Sequence, residues 1–136
     1  MVHTRASEGL RIVQNGDTKG LRIVGINEGM LTENIVAQML RANGHRLFFY
    51  SQSGKNEGEE RMEIDFLIVR PYANAAMKPR ISPIEVKSPR QYGTISLDRF
   101  KKKLGKRIGT QYVLHVKQLK VEGDLAYLPL YMGFCL

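Results

Sequence analysis

The chain has one cysteine, Cys135, which excludes an intrachain disulfide and fits a reducing, cytoplasmic setting. Long apolar runs are missing too. The longest, Leu125 to Leu136, is too short to cross a bilayer and contains Pro129, so no membrane role is expected. Met1 to Glu8 lacks the apolar core of a signal peptide. The three histidines, His3, His45 and His115, show no metal-ligand spacing with one another or with Cys135. No G-x-x-x-x-G-K-[ST] phosphate loop is present. Gly54-Lys55 and Gly105-Lys106 lack both the earlier glycine and the following Ser or Thr. Acids are scarce in one region. Residues 78–120 hold twelve Lys or Arg and two acids, a balance of +10, while the remainder carries −2. That asymmetry points to a polyanionic partner or to a solvated basic face.

What is present reads as one domain of 136 residues, long enough for a real core. In residues 1–28, Gly9-Leu10-Arg11-Ile12-Val13 recurs as Gly20-Leu21-Arg22-Ile23-Val24 around Asn15-Gly16-Asp17. The segment is expected to form a hairpin or extension, leaving residues 29–136 as the main domain. Met30 to Asn43 has helical spacing, with Leu31, Ile35, Val36, Met39 and Leu40 on one apolar face and Asn43-Gly44 as the stop. Arg46 to Ser51, with Leu47-Phe48-Phe49-Tyr50, predicts a strand buried on both faces. Gln52 to Arg61 reads as a loop. Met62 to Arg70 follows as a strand, with Met62, Ile64, Phe66 and Ile68 on one face and Glu63, Asp65, Leu67 and Val69 on the other. After a nine-residue connection, Ile81 to Ser88 is a strand able to pair antiparallel with it, with Pro83 near its start. Ser96 is the expected cap of a helix running to about Lys106, with Leu97, Phe100, Leu104 and Ile108 as its buried stripe. Tyr112 to Val116 and a segment within Leu125 to Phe134 complete the strands. The core order is helix, three strands, helix, strand: an α/β fold with a mixed sheet flanked by helices.

The chemistry concentrates in Ile84-Glu85-Val86-Lys87. Alternation puts Glu85 and Lys87 on one face of an apolar strand, where two charges are costly unless they pair or hold something. Asp65 and Glu85, on adjacent strands, can supply carboxylates to Mg²⁺ or Mn²⁺, and the Val86 carbonyl can add a third oxygen. Lys87 can orient water or stabilise phosphate charge, and Glu33 can hold a metal-bound water from the helix. A structural ion pair of Glu85 or Asp65 with Lys87 is the alternative, and a helix-dipole role is the alternative for Glu33. The basic helix bearing Arg99, Lys101, Lys102, Lys103, Lys106 and Arg107 offers sequence-independent contacts to phosphates.

Gly29-Met30-Leu31-Thr32-Glu33-Asn34-Ile35-Val36-Ala37, Glu63-Ile64-Asp65-Phe66-Leu67-Ile68, Ile84-Glu85-Val86-Lys87-Ser88 and Ser96-Leu97 occur in that order. Over roughly residues 26–134 the chain resembles the C-terminal domain of a bacterial and archaeal AAA-type ATPase family. That domain, long without an assigned function, is similar to PD-(D/E)XK restriction-endonuclease-like folds. The resemblance implies a nuclease-like domain acting on DNA with Mg²⁺ or Mn²⁺. It puts Asp65, Glu85 and Lys87 at the three signature positions and Glu33 at the acidic position of the first core helix. Ile64 stands where the name-giving motif has proline. With no phosphate loop, the chain is expected to be a fragment or stand-alone form of the ATPase-associated domain, with an AAA-type ATPase module as a candidate partner. A non-cutting nucleic-acid- or partner-binding module of such an ATPase is the alternative function.

Overall fold

A computed structural model describes residues 28–54, 60–70, 79–88 and 93–136. The expected hairpin or extension in residues 1–28 lies outside these, apart from Glu28, as does His3. The chain runs α1 (Glu28–Ala42), β1 (Phe48–Gln52), β2 (Met62–Arg70), β3 (Arg80–Val86), α2 (Ile95–Leu104), β4 (Gln111–His115), β5 (Lys120–Glu122) and β6 (Leu125–Pro129). The strands form one six-stranded mixed sheet in the order β1-β2-β3-β4-β6-β5. The β1, β2 and β3 strands are antiparallel, β3, β4 and β6 are parallel, and β5 returns antiparallel on β6.

Each face of the sheet has its own apolar cluster. On one, Val36 and Leu40 of α1 pack with Ile68, Ile84, Leu114, Ala126 and Leu128. On the other, Leu97 and Phe100 of α2 pack with Met62, Ile64, Ile108 and Val113. The stripe expected on α2 is buried as its spacing predicts, with Leu104 half-buried. The helix starts one residue before Ser96, which therefore does not cap it. Thr94 holds the N-cap place without a side-chain cap bond.

The apolar face expected on α1 is narrower than its spacing implied. Val36 and Leu40 are buried, but Leu31 and Ile35 are about half exposed. The helix ends as its sequence suggests. Gly44 has φ +85°, His45 N–H donates to the Leu40 carbonyl at 3.0 Å, and Gly44 N–H donates to Arg41 at 3.0 Å. This Schellman arrangement needs the left-handed backbone that glycine adopts without strain.

The strand at β1 corrects a second expectation. It is an edge strand, not one buried on both faces, and Phe49 is 78% exposed. Its aromatic run reflects β-propensity without burial. Pro83 sits mid-strand in β3, paired with Leu67, and not near the strand's start. Ile81 accepts the Gly109 N–H and Lys87 N–H donates to Leu114, so odd-numbered residues of β3 turn their backbone groups toward β4. The donor that Pro83 lacks therefore falls before the regular β3–β4 pairing, which begins at Ile84. The three-residue β5, exposed throughout and turned by Gly123 (φ +62°), was not anticipated.

Candidate metal and phosphate site

Strand β2 changes face at Asp65. Met62 and Ile64 pack on the α2 side, Phe66 and Ile68 pack on the α1 side, and Leu67 returns to the α2 side. The pairing with β1 records the same slip: Tyr50 is opposite Ile64, but Phe48 is opposite Leu67. A β-bulge lies between them, so the uniform alternation expected over residues 62–69 fails there. Bulges bend a strand and re-aim its side chains. Here the re-aimed residue is Asp65.

The β2–β3 ladder runs from Arg70↔Arg80 to Phe66↔Ile84 and goes no further. Beyond it, the Val86 N–H donates to the Asp65 carboxylate, at 2.7 Å from Oδ2, instead of to a strand carbonyl. A side chain thus takes the place of the next backbone acceptor, and the two strands part at this level. In an extended strand the C=O and N–H of one residue point to the same side. The Val86 carbonyl is therefore directed to the side from which Asp65 approaches.

Glu85 is 3% exposed, on the α2 face beside Val113. Its Oε2 lies 2.5 Å from Lys87 Nζ, while Oε1 is buried with no hydrogen-bond partner among the described residues. Lys87 is anchored through its N–H to Leu114 at 2.8 Å, and its side chain is one-fifth exposed. The expected Glu85–Lys87 proximity is therefore present, and so is the ion pair weighed against it.

The carboxylates here are protonated more readily than ordinary ones. Burial pushes Glu85 up, opposed by its bond to Lys87 and reinforced by the nearby charges of Asp65 and Asp98. Burial also raises Asp65, against the Val86 N–H and the Lys87 charge, with Glu63 adding to the rise. Glu33, on α1, is raised by burial and then by Asp65 and Glu63. Glu33 lies on α1, which packs on one face of the sheet, while Glu85 and Lys87 occupy the α2 side. Asp98 was missed by sequence reasoning. Its place in the first turn of α2 looked like ordinary dipole complementarity, and only the packing of α2 on the sheet brings it near Glu85.

Among the described residues, no three His, Cys, Asp or Glu side chains converge as a metal cluster. Magnesium does not need three. One or two carboxylates with carbonyl, water and phosphate oxygens suffice. Glu85 Oε1, buried with no hydrogen-bond partner among the described residues, the Asp65 carboxylate and the Val86 carbonyl are oxygens of the kind such an ion takes.

The six basic residues named on and after α2 divide into two groups. Arg99 bonds Glu60 at 2.5 Å and the Arg61 carbonyl at 3.0 Å. Lys101 pairs with Asp124 at 2.6 Å, and Lys103 donates to the Tyr50 hydroxyl at 2.6 Å and Gln52 at 2.8 Å. These three fasten the helix to its surroundings. Lys102, Lys106 and Arg107 are exposed.

A family profile described as a domain of unknown function, DUF4143, matches residues 28–131. The chain belongs to the DUF4143 family. The match runs from the first residue of α1 to just beyond β6, so every element of the DUF4143 domain described above, apart from the last turn of the chain, falls within it. No curated protein and no solved structure matches the chain.

Proposed function

We propose that this DUF4143 domain is a nuclease-like, metal-dependent phosphodiester hydrolase acting on DNA, with a restriction-endonuclease-like (PD-(D/E)XK) core and normally partnered with an AAA-type ATPase module. One observation carries the reading. Where β2 and β3 part, a bulge-directed carboxylate, a buried carboxylate with an oxygen left over and a lysine ammonium are gathered at one level of the sheet. Burying such charges is costly, and an apolar replacement would stabilise the fold as well or better. A cation and a phosphate at this place would offset that cost.

Asp65, Glu85 and the Val86 carbonyl would hold Mg²⁺ or Mn²⁺. Such an ion, when bound, supplies charge for a phosphate oxygen and lowers the pKa of a bound water. The chain's own residues do the rest. The Val86 N–H fixes the Asp65 carboxylate in one orientation. Burial excludes water from Glu85. Lys87 changes partner, from Glu85 to the phosphate, and its ammonium then stands where negative charge develops. Glu33 orients water from the α1 side. Lys102, Lys106 and Arg107 contact the nucleic-acid backbone.

The test is cleavage of labelled duplex and single-stranded DNA with Mg²⁺ or Mn²⁺. The wild type is expected to cut, and Asp65→Ala and Lys87→Ala are each expected to reduce cutting at least about a hundredfold. Activity that survives both changes would reject this site.

A second reading rests on the Glu85–Lys87 pair itself. At 2.5 Å, with the glutamate almost fully buried, it satisfies one carboxylate without an ion. In that case the domain is a non-cutting nucleic-acid- or partner-binding module. Salt-sensitive DNA binding, without metal affinity, is the result that distinguishes it.

A further inference from the structure

The parallel strands β3, β4 and β6 end together, and Glu85–Lys87 lies at the end of β3. One strand over, the end of β4 borders an open cavity of about 680 Å³, lined by His115, Lys117, Gln118, Leu119, Lys120 and Tyr127. This volume is in the range of small-ligand sites. In open α/β sheets, ligands bind in crevices outside the carboxyl ends of the strands.

The register fixes how the cavity and the site are related. Val86 pairs with Leu114, so Lys87 stands beside His115. Glu85 pairs with Val113 and Val113 with Tyr127, which puts Glu85, Lys87, His115 and Tyr127 on one face of the sheet. The two regions are neighbours along a single surface. From Lys87, Lys120 on β5 is three strand spacings away, or ~14 Å at about 4.8 Å per strand. That distance covers roughly four nucleotides at 3.4 Å each along a duplex strand.

We propose that this cavity binds a backbone phosphate of the same DNA whose neighbouring stretch lies at Glu85–Lys87. The proposal rests on the reading of that site as a DNA site. Lys117 and Lys120 supply the charge, with the amide of Gln118 between them in sequence. His115 and Tyr127, whose rings meet at 5.7 Å between centroids, form a firm wall. His115 is held by its contact with the Gln118 carbonyl at 3.1 Å, which also shapes the turn carrying Lys117. Lys120 pairs with Glu122 in the same strand. Both partners are at least half exposed, so the bond is weak enough to be exchanged for a phosphate.

The experiment measures DNA affinity by fluorescence anisotropy across a salt series, using the full chain with Asp65→Asn to prevent cutting. Adding Lys117→Gln and Lys120→Gln together is expected to weaken binding roughly tenfold at low salt. The slope of log K against log salt should fall by about two. Unchanged affinity and slope would overturn the cavity proposal, even if the wild type cuts DNA. If the wild type fails to cut but its binding still depends on these lysines, the nuclease reading falls and the cavity stands. A companion thermal shift with inorganic phosphate at fixed ionic strength separates the source of the phosphate. Stabilisation lost in the double variant, with no change in DNA binding, would assign a free-phosphate site and reject the strand contact.

Discussion

The Asp65 carboxylate accepts the Val86 N–H at 2.7 Å, at the level where the backbone ladder between their strands has ended. One side chain thereby closes the gap between β2 and β3. Replacing Asp65 by alanine leaves this part-buried N–H without its acceptor and should cost about 1–3 kcal/mol. Asp65→Asn keeps an acceptor oxygen and should cost less. Urea denaturation of the two variants measures the difference, and equal losses would show that the hydrogen bond contributes little.

Lys87 is the matched charge for a glutamate that has almost no water around it. Removing only the lysine, as in Lys87→Met, strands the Glu85 carboxylate. Breaking a buried pair costs about 3–5 kcal/mol, and the partial exposure of Lys87 reduces this to ~2–3 kcal/mol. The double variant Glu85→Gln with Lys87→Met should recover most of the loss. A double-mutant cycle by chemical denaturation checks the coupling.

The raised carboxylates define a pH effect opposite in sign to ordinary acid denaturation. Glu33, Asp65 and Glu85 all bind protons more tightly in the fold than in the unfolded chain. Their stabilising contribution is fully present below the unfolded values, near pH 4, and is lost as pH rises through the folded ones. In EDTA, the stability contributed by these groups should fall as pH rises above about 4. Asp65→Asn with Glu85→Gln should flatten that dependence. Divalent cation should restore stability at neutral pH in the wild type alone, by mass action. Thermal unfolding across a pH series, with and without cation, follows both effects.

Phe100 and Phe49 separate burial from hydrophobicity. Phe100 is buried and meets the Tyr50 ring in a tilted contact at 5.1 Å between centroids, whereas Phe49 is mostly exposed. Phe100→Ala should cost about 3–5 kcal/mol. Phe49→Ser should stay within about 0.5 kcal/mol. Denaturation midpoints decide this, and a large loss at Phe49 would mean that the edge strand is covered.

The pattern of legibility follows from what periodicity encodes. The stripe Leu97, Phe100, Leu104, Ile108 and the stop at Asn43-Gly44 were readable because each is local. The exposure of Phe48-Phe49 was not, since an aromatic run has the same sequence signature at a sheet edge as in its centre. Leu31 and Ile35 misled for a related reason: helical spacing names a face but not how much of it is covered. At the site, the Glu85–Lys87 proximity followed from alternation alone. The Asp65–Val86 bond did not, because it depends on a bulge opposite β1, and a bulge breaks the period of two on which the reading relied. Asp98 and the cavity beside His115 needed the tertiary packing of α2 and β5, for which the sequence carried no local signal.

Asp65 and Glu85 are proposed to hold a divalent cation together. Titration of the full chain with Mn²⁺, followed by electron paramagnetic resonance, tests this most directly. One site per chain is expected in the wild type, with loss of that site in both Asp65→Asn and Glu85→Gln. Wild-type protein that leaves Mn²⁺ free in solution, or binding that persists unchanged in both variants, would contradict it.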